Sequence, residues 1–560
     1  MLRYLWIMLA VCGYCSMGNS QQIILDDDFE DWNTEVSRYT DKQGDVGNGR
    51  IDFTDIRISN DDTYMYIFFD VTQEINLQEN NNIALILDFD NDINTGKKTV
   101  GLGADIIYNF GKRQGFLYAG NSSYLIYQSD IKLVTSPTVT SKRFEIAIAR
   151  NFIFNNETFS MGNLISTALS DESSYGDRAP DTEGGFVYEF KKAEPYDKSV
   201  HLSKTNPAHL RIMSYNVLKD RLFNNSVYQN YNRIFNAIQP DIIGFCEIYD
   251  NSSAQVAALI ERFLPSVSNQ KWYHASGNPD IRLVSRYPIL SVRSIDGNAA
   301  FLIDLGKDKL VAIMAHLPCC NNESSRQQEV DNIMSFVRGI RYGISAFQVP
   351  VNTPIIIMGD MNFVGYSQQL HTFITGDIVN NQIYGPDFSP DWDNADLKDL
   401  KPLTTGQPMT YTWYSTGSYS PGRLDYMIYT GSAMQVSNSF VLWTQHMSSS
   451  DLSRYHLDYN DVTRASDHAP VVGDFTIGSF SATENSNHQK PFVFIQRDGQ
   501  WLLDTEQRGR LTITDVSGRI IWHIDKDDTG SQSIQMPELS GLYILTFHTG
   551  TGIYSTTIFR

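Results

Sequence analysis

The sequence predicts a multi-domain chain in which two β-sandwiches, one N-terminal and one small and C-terminal, flank a central α/β region of two sheets with helices packed outside. Three observations predict this. From residue 23 to about 190, short apolar runs are separated by Asn, Asp and Gly clusters. From 208 to 477, strand-like and helix-like periodicities alternate. After a Ser/Asn/Thr-rich linker at 479–491, short alternating runs return over 491–560. With 560 residues, 41% of them apolar, and roughly 150 residues per domain, the chain has material for three or four cores.

Residues 1–20 carry Arg3, an apolar stretch from Leu5 to Val11 and the small-residue site Gly18-Asn19-Ser20, a secretory signal pattern that implies export. Cys12 and Cys15 lie inside it and are expected to leave with it, a lipid anchor on Cys12 being the alternative. Beyond it no apolar run reaches the roughly 18 residues of a membrane helix. The mature chain is therefore expected to be secreted or held at the outer surface by other means. The β-runs of 23–190 include Tyr64–Phe69, Ile83–Leu87 and Phe144–Ile148. Between them, Asp88, Asp90 and Asp92 place oxygens at alternate positions, as a calcium loop does, although Ile93 and Thr99 break the EF-hand pattern; a solvated polar turn is the alternative. Trp32, Tyr64 and Tyr66 are of the residue types that stack on sugars, but they are read first as core aromatics.

In the central region Tyr231, Ile234, Phe235 and Ile238 fall at helical spacing and stop before Pro240. Val256, Leu259, Ile260 and Phe263 repeat the spacing, as do Val330, Ile333, Met334 and Val337, the latter between strands predicted at 310–315 and 355–358. In the last region strands are predicted at 511–516, 542–545 and 556–558.

A net charge of −20 argues against binding polyanions through a basic surface, yet a bound divalent cation can meet a phosphate directly. After the signal only Cys246, Cys319 and Cys320 remain. An odd count excludes complete pairing within the chain. Cys246 reads as a buried strand residue, and Cys319-Cys320 as candidates for a vicinal bridge at a site rim.

Chemistry concentrates in six short motifs: Ser214-Tyr215-Asn216, Cys246-Glu247, His316-Leu317, Gly359-Asp360-Met361-Asn362, Arg423-Leu424-Asp425-Tyr426 and Ser466-Asp467-His468. Several follow apolar runs that read as buried strands, so their polar residues gather at strand ends around one cleft. Phosphodiester cleavage needs an oxygen neutralised, a water activated and an alkoxide stabilised. Glu247 and Asn216 supply hard oxygens for magnesium. Asp360 is expected to orient the attacking water or touch the metal, and Asn362 to donate to a phosphoryl oxygen. His468 is expected at the scissile phosphate, with Asp467 and Asp425 as candidate carboxylates that orient it. Tyr411-Thr412-Trp413 and Arg423 are candidate channel residues, with Trp413 read as core.

In this order and spacing the motifs resemble the endonuclease/exonuclease/phosphatase family over about residues 208–477. The resemblance implies a four-layer α/β sandwich with the site at the strand ends. It implies a metal-dependent phosphoric ester hydrolase using Mg2+, with Mn2+ as a substitute, and it places Asn216, Glu247 and Asp467 at the metal. Catalytic residues would be His316, Asp360, Asn362, Asp425, Asp467 and His468, with His316 holding a phosphate oxygen or protonating the leaving group. The nuclease branch is the first reading, with nucleic acid as the phosphodiester substrate. A sphingomyelinase-like or inositol-phosphate phosphatase is the second, and a surface glycan-binding or adhesion protein with an inactive enzyme fold the third. Two departures stand out. Nucleases of the family place a glutamate behind the histidine at 316, where only Asp280 is found, one position off. Cys246 stands where glutamine commonly precedes the metal glutamate.

Residues 28–32, the acidic loop and Gly103-Ala104-Asp105 resemble family 9 carbohydrate-binding-like modules, which implies a glycan partner for residues 23–190. The stretches 515–519 and 539–543, with the basic terminus Arg560, resemble the type IX secretion sorting domain of Bacteroidetes, which implies that secretion machinery as a partner.

Overall fold

The computed structural model describes residues 22–33, 37–47, 50–193, 196–267, 270–478 and 480, and in the last part the strands between 492 and 559 with residue 508. Residues 1–21, which hold the predicted signal, most of the predicted linker 479–491, residues 516–519 and 535–541, and Arg560 lie outside the described residues. The chain divides into two compact units, Met1–Ser481 and Ala482–Arg560.

In the first unit, residues 37–190 form two main antiparallel sheets. One runs in the order Ser37–Thr40, Phe53–Asn60, Tyr64–Ile75, Ser141–Ala149, Val134–Ser136. The other runs Arg178–Ala179, Leu164–Asp171, Ile83–Asp88, Ile106–Asn109, Gln114–Ala119, Ser122–Ile126, with Phe186–Glu189 also paired to Leu164–Asp171. Met65, Ile67, Phe69, Phe144 and Ile146 of the first sheet share a core with Leu85, Leu87, Ile165 and Leu169 of the second. The alternate residues Tyr64, Tyr66, Phe68, Ala147 and Ala149 join a different core, which includes Met409, Tyr411 and Trp443 of the central region. Burial on both faces explains why 64–69 is an unbroken apolar run rather than an alternating one. Trp32, Tyr64 and Tyr66 are all buried, so the structure makes them core and leaves no sugar platform at these rings. Trp32 donates its indole N–H to Glu145 at 2.9 Å.

The central region holds two six-stranded sheets. The first is ordered Tyr273–Ser276, Arg282–Ser285, Ile242–Cys246, Leu210–Asn216, Val471–Ile477, Met434–Val441. The second is Ile289–Ile295, Asn298–Asp304, Lys309–His316, Ile355–Asp360, Asp425–Tyr429, Lys398–Asp399. Each contains one parallel pair, 210–216 with 242–246 and 309–316 with 355–360. A parallel pair needs a crossover, and the helices Tyr228–Ile238 and Glu323–Arg341 supply the two. The first ends on Gln239 in the left-handed region before Pro240, and Ser253–Phe263 begins on a Ser252–Gln255 capping box.

Even-numbered Ala312, Met314, Ile356 and Met358 face the first sheet, while Val311, Ile313, Ile355 and Ile357 pack on Val330, Ile333, Met334 and Val337 of the helix. Gly244 of the first sheet makes room for the second: an added Cβ there would lie 2.0 Å from the Met314 sulfur.

Arg211 and Asp474, on neighbouring strands of the first sheet, form a buried bidentate pair with both contacts at 2.6 Å. The guanidinium also donates to the carbonyls of Leu202 at 2.7 Å and Ile238 at 2.5 Å, tying the preceding segment and a helix end to the sheet. Asp474→Ala strands this cation in the core, and removing one partner of a buried pair costs about 3–5 kcal/mol. A denaturant midpoint that stays at the parent value contradicts this.

The second unit contains a three-stranded sheet, Phe492–Arg497, Gln500–Thr505, Gly530–Ile534, and a four-stranded one, Ile520–Lys526, Gly509–Asp515, Leu542–Thr549, Ile553–Phe559, all antiparallel. Leu511, Ile513 and Leu545 are buried. Among the described residues no helix is long and apolar enough to cross a membrane.

Candidate active site

The parallel strands of both sheets end at the same place. Asn216 is level with Cys246 in one sheet, and His316 with Asp360 and Asp360 with Asp425 in the other. Two backbone features shape these ends. Gly359 has φ 139°, and a Cβ there would lie 1.9 Å from the Ala315 carbonyl, so only glycine lets the strands carrying His316 and Asp360 run so close. Glu247 sits in the left-handed region at φ 62°, a conformation that costs a non-glycine residue about 1–2 kcal/mol. It is held there because its carbonyl accepts from Asp220 N–H at 2.8 Å, and the next amide, Ile248 N–H, donates to Asp280 at 3.0 Å.

Asp360 is the centre of the site. Its Oδ2 accepts from Asn216 Nδ2 at 3.0 Å and lies 3.6 Å from His468 Nε2 and 3.8 Å from His316 Nε2. The same Asn216 nitrogen donates to Glu247 Oε1 at 3.0 Å, while Glu247 Oε2 accepts from Lys219 N–H at 2.9 Å. Asn216 Oδ1 accepts from Leu218 N–H at 3.0 Å, so its amide nitrogen rather than its oxygen faces the two carboxylates.

Each imidazole is backed by a carboxylate through Nδ1. His468 is 2.7 Å from Asp425 Oδ2, and His316 is 2.5 Å from Asp280 Oδ2. These bonds aim both Nε2 atoms at the Asp360 oxygen. Burial disfavours a charged His468 ring, but the Asp425 and Asp360 carboxylates outweigh it and lift its pKa to about 10. For His316 burial again opposes the charge, and the bond to Asp280 with the field of Asp360 lifts it to about 9. Burial raises the carboxyl of Asp425 against the pull of His468. Thr412 fixes Asp425 by donating its hydroxyl to Oδ2 at 2.7 Å and accepting the Asp425 N–H at 2.9 Å.

These groups open into a cleft of about 540 Å3, bordered by Glu247, Tyr249, His316, Asp360, Asn362, Trp413 and His468. All six motifs thus meet in or directly behind one cleft, and several expectations change in detail. Asp280, one position off in sequence, stands directly behind His316. Asp467 does not back His468: its Oδ2 accepts from the Trp413 indole at 3.1 Å, and Asp425 alone holds Nδ1. Asn362 borders the cleft, but its amide donates to the Leu317 carbonyl at 2.9 Å. Trp413 borders the cleft rather than filling the core. Arg423 is buried, bonded to Asp399 and stacked at 4.0 Å on Tyr426, which makes it structural. Cys246 is buried, and Cys319 and Cys320 are exposed at the rim with their sulfurs facing each other. At the predicted calcium loop the clustered acidic oxygens are those of Asp88, Asp90 and Asp105; Asp92 turns aside and accepts from Asn94 N–H at 2.9 Å.

Thr412, expected as a channel residue, instead fixes Asp425, and Asn298 is not among the residues singled out from sequence. Asn298 accepts the His316 N–H at 3.0 Å and donates to Glu329 at 2.8 Å. A lone amide on a hydrophobic strand gives no sign of this.

Two histidine–carboxylate pairs, a half-buried glutamate and a central aspartate at the ends of two packed sheets are suited to metal-dependent hydrolysis of phosphoric esters. Residues 213–468, a little under half of the chain, match the model of the Endonuclease/Exonuclease/phosphatase family. No curated protein matches the chain. Similar solved structures include the D. rerio TDP2 complex with a single-strand DNA product (17% identity, 48% of this chain, 99% of that one, TM-score 0.30). The human Nocturnin catalytic domain with bound sulfate is 15% identical (48% and 95%, TM-score 0.29). ANGEL2, a 2',3'-cyclic phosphatase, is 13% identical (48% and 96%, TM-score 0.32).

Proposed function

We propose that this chain is an exported, magnesium-dependent phosphodiesterase that cleaves nucleic acid, with manganese able to substitute. The observation that carries the reading is the convergence of two carboxylate-backed imidazoles on one oxygen of Asp360. A phosphoryl group at this point meets cationic N–H donors from two sides, while Asp360 remains an acceptor for the attacking water. Half-exposed Tyr249, with Trp413, borders the same cleft, and aromatic rings beside a phosphate site are suited to stacking bases.

The donor set fits a hard divalent cation. Glu247 Oε1 and Asp360 Oδ2 both converge on the Asn216 amide, and oxygen donors of this kind select magnesium over softer metals. Glu247 would hold the ion, with Asn216 beside it, and the bound ion would neutralise charge on the phosphate. Asp467, expected as a further ligand, is engaged by Trp413 instead.

The chain's own residues then divide the remaining work. Asp360 accepts a hydrogen bond from the water and aims it. His468, fixed by Asp425 and cationic, donates from Nε2 to the scissile phosphate and stabilises the charge that develops there, so the proton of the water passes to Asp360. His316, fixed by Asp280, hands a proton from Nε2 to the departing alkoxide. Export through residues 1–20 and sorting through 491–560 by type IX machinery complete the proposal.

Full-length protein assayed on DNA, RNA, sphingomyelin and inositol phosphates tests it. Magnesium is expected to support nucleic acid cleavage, and excess chelator to abolish at least 90% of it, reversibly. Intact nucleic acids alongside a hydrolysed phospholipid would overturn the nuclease reading.

A further inference from the structure

The N-terminal region closes one side of the catalytic cleft. Asn76 donates to the Val364 carbonyl at 2.9 Å, and Thr138 donates its hydroxyl to Phe363 at 2.8 Å, both just beyond Asn362. On the other side, Thr135 N–H donates to Ser420 Oγ at 2.9 Å, and Ser420 N–H to Gln78 Oε1 at 2.8 Å. These contacts hold the loop between Trp413 and Asp425. Asn76, Gln78, Glu79 and Thr138 therefore border the same cleft as His316 and His468.

A second cavity, of about 640 Å3, continues from this cleft. The two share Glu79, Cys320, Asn321 and Tyr419 as walls. Tyr419 comes from the catalytic region, and its hydroxyl donates to Glu79 at 2.9 Å. The Arg113 guanidinium of the N-terminal region lies 4.2 Å from the ring centroid and 3.5 Å from Glu79. One face of the ring is thus backed by the guanidinium, yet Tyr419 remains 42% exposed. Its other face is a flat platform, preset by a cation–π contact and a hydrogen bond, at the passage from one cavity to the next.

The charge of this cluster decides what it takes. Arg113 is already balanced by Glu79, so the passage offers no net cation for another phosphate. The amides of Asn80 and Asn321 and the Glu79 carboxylate instead suit the edges of a neutral ring. We propose that the Tyr419–Arg113–Glu79 cluster is a subsite, built jointly by the two regions, for the base of a nucleotide adjoining the scissile phosphate. The N-terminal region then sets substrate preference as a wall of the active site. This rests on the nucleic-acid reading above.

The test compares full-length Tyr419→Ala, Tyr419→Phe and the parent on a short single-stranded oligonucleotide and on bis(p-nitrophenyl) phosphate, which has no base. Loss of one base stack corresponds to roughly fivefold or more. Tyr419→Ala is expected to raise KM for the oligonucleotide by about tenfold with little change in kcat, lowering its preference over the aryl diester by the same factor. Tyr419→Phe, which keeps the ring, is expected to restore that preference. Arg113→Gln asks the same question from the N-terminal side if Tyr419→Ala unfolds, and a fall in preference is again expected. Equal effects on both substrates, or an unchanged preference, overturn the subsite alone. A parent that hydrolyses the aryl diester but no nucleic acid overturns the nuclease reading and the subsite with it.

Discussion

His468→Ala is expected to lower kcat on a phosphodiester by about 10^3-fold or more while leaving the protein folded. The side chain is buried, and its Nε2 is one of two imidazole nitrogens that converge on Asp360. It is also the more tightly fixed ring, because Asp425 is itself held by Thr412. A positioned acid or base contributes typically 10^2–10^4-fold, and here the same group also meets the phosphate. Asp425→Asn is the informative companion. It preserves shape but removes the charge opposite Nδ1, so the ring loses both its orientation and the field that keeps it cationic. A reduction of about 10^2-fold or more is expected, read as kcat with the thermal midpoint measured in parallel. Activity within tenfold of the parent in both variants would remove His468 from the chemistry.

Glu247→Ala is expected to abolish magnesium-dependent turnover, by about 10^3-fold at fixed metal, and to weaken magnesium binding measured by calorimetry. Glu247 is the half-buried carboxylate that opens into the cleft, and its left-handed backbone is stabilised by the neighbouring loop. A side chain kept in a costly conformation at a strand end signals a requirement other than stability. Glu247→Asp, one methylene shorter, is expected to recover part of the activity at raised metal concentration. Parent-like metal affinity in Glu247→Ala would show that the ion is held elsewhere.

Periodicity located the helix containing Tyr231, Ile234, Phe235 and Ile238 because it commits one face to a core. The strands ending at Cys246, His316 and Asp360 follow instead from unbroken apolar runs, since both of their faces are buried. Loops were read less well. Whether Asp280 or a neighbour stands behind His316 depends on the path of residues 277–281, and a shift of one residue reverses which side chain points inward. The same limit applies to Asp105, which joins Asp88 and Asp90 from a different part of the chain in place of adjacent Asp92. Trp413 carries a core-like side chain, and its place at the cleft is set by backbone pairing to Gly422 and His468. The contacts from Asn76 to Val364 and from Gln78 to Ser420 join positions hundreds of residues apart, and no local pattern encodes them.

The sheet that carries Tyr64, Tyr66 and Phe68 is covered by apolar neighbours on both sides. Its outward row is therefore not a free surface that another protein could inherit. Cutting the chain near residue 200 would leave a greasy wound on each fragment, inviting aggregation. The N-terminal region is thus not interchangeable like a bead on a string: it can be altered only together with the partner surface into which it has grown.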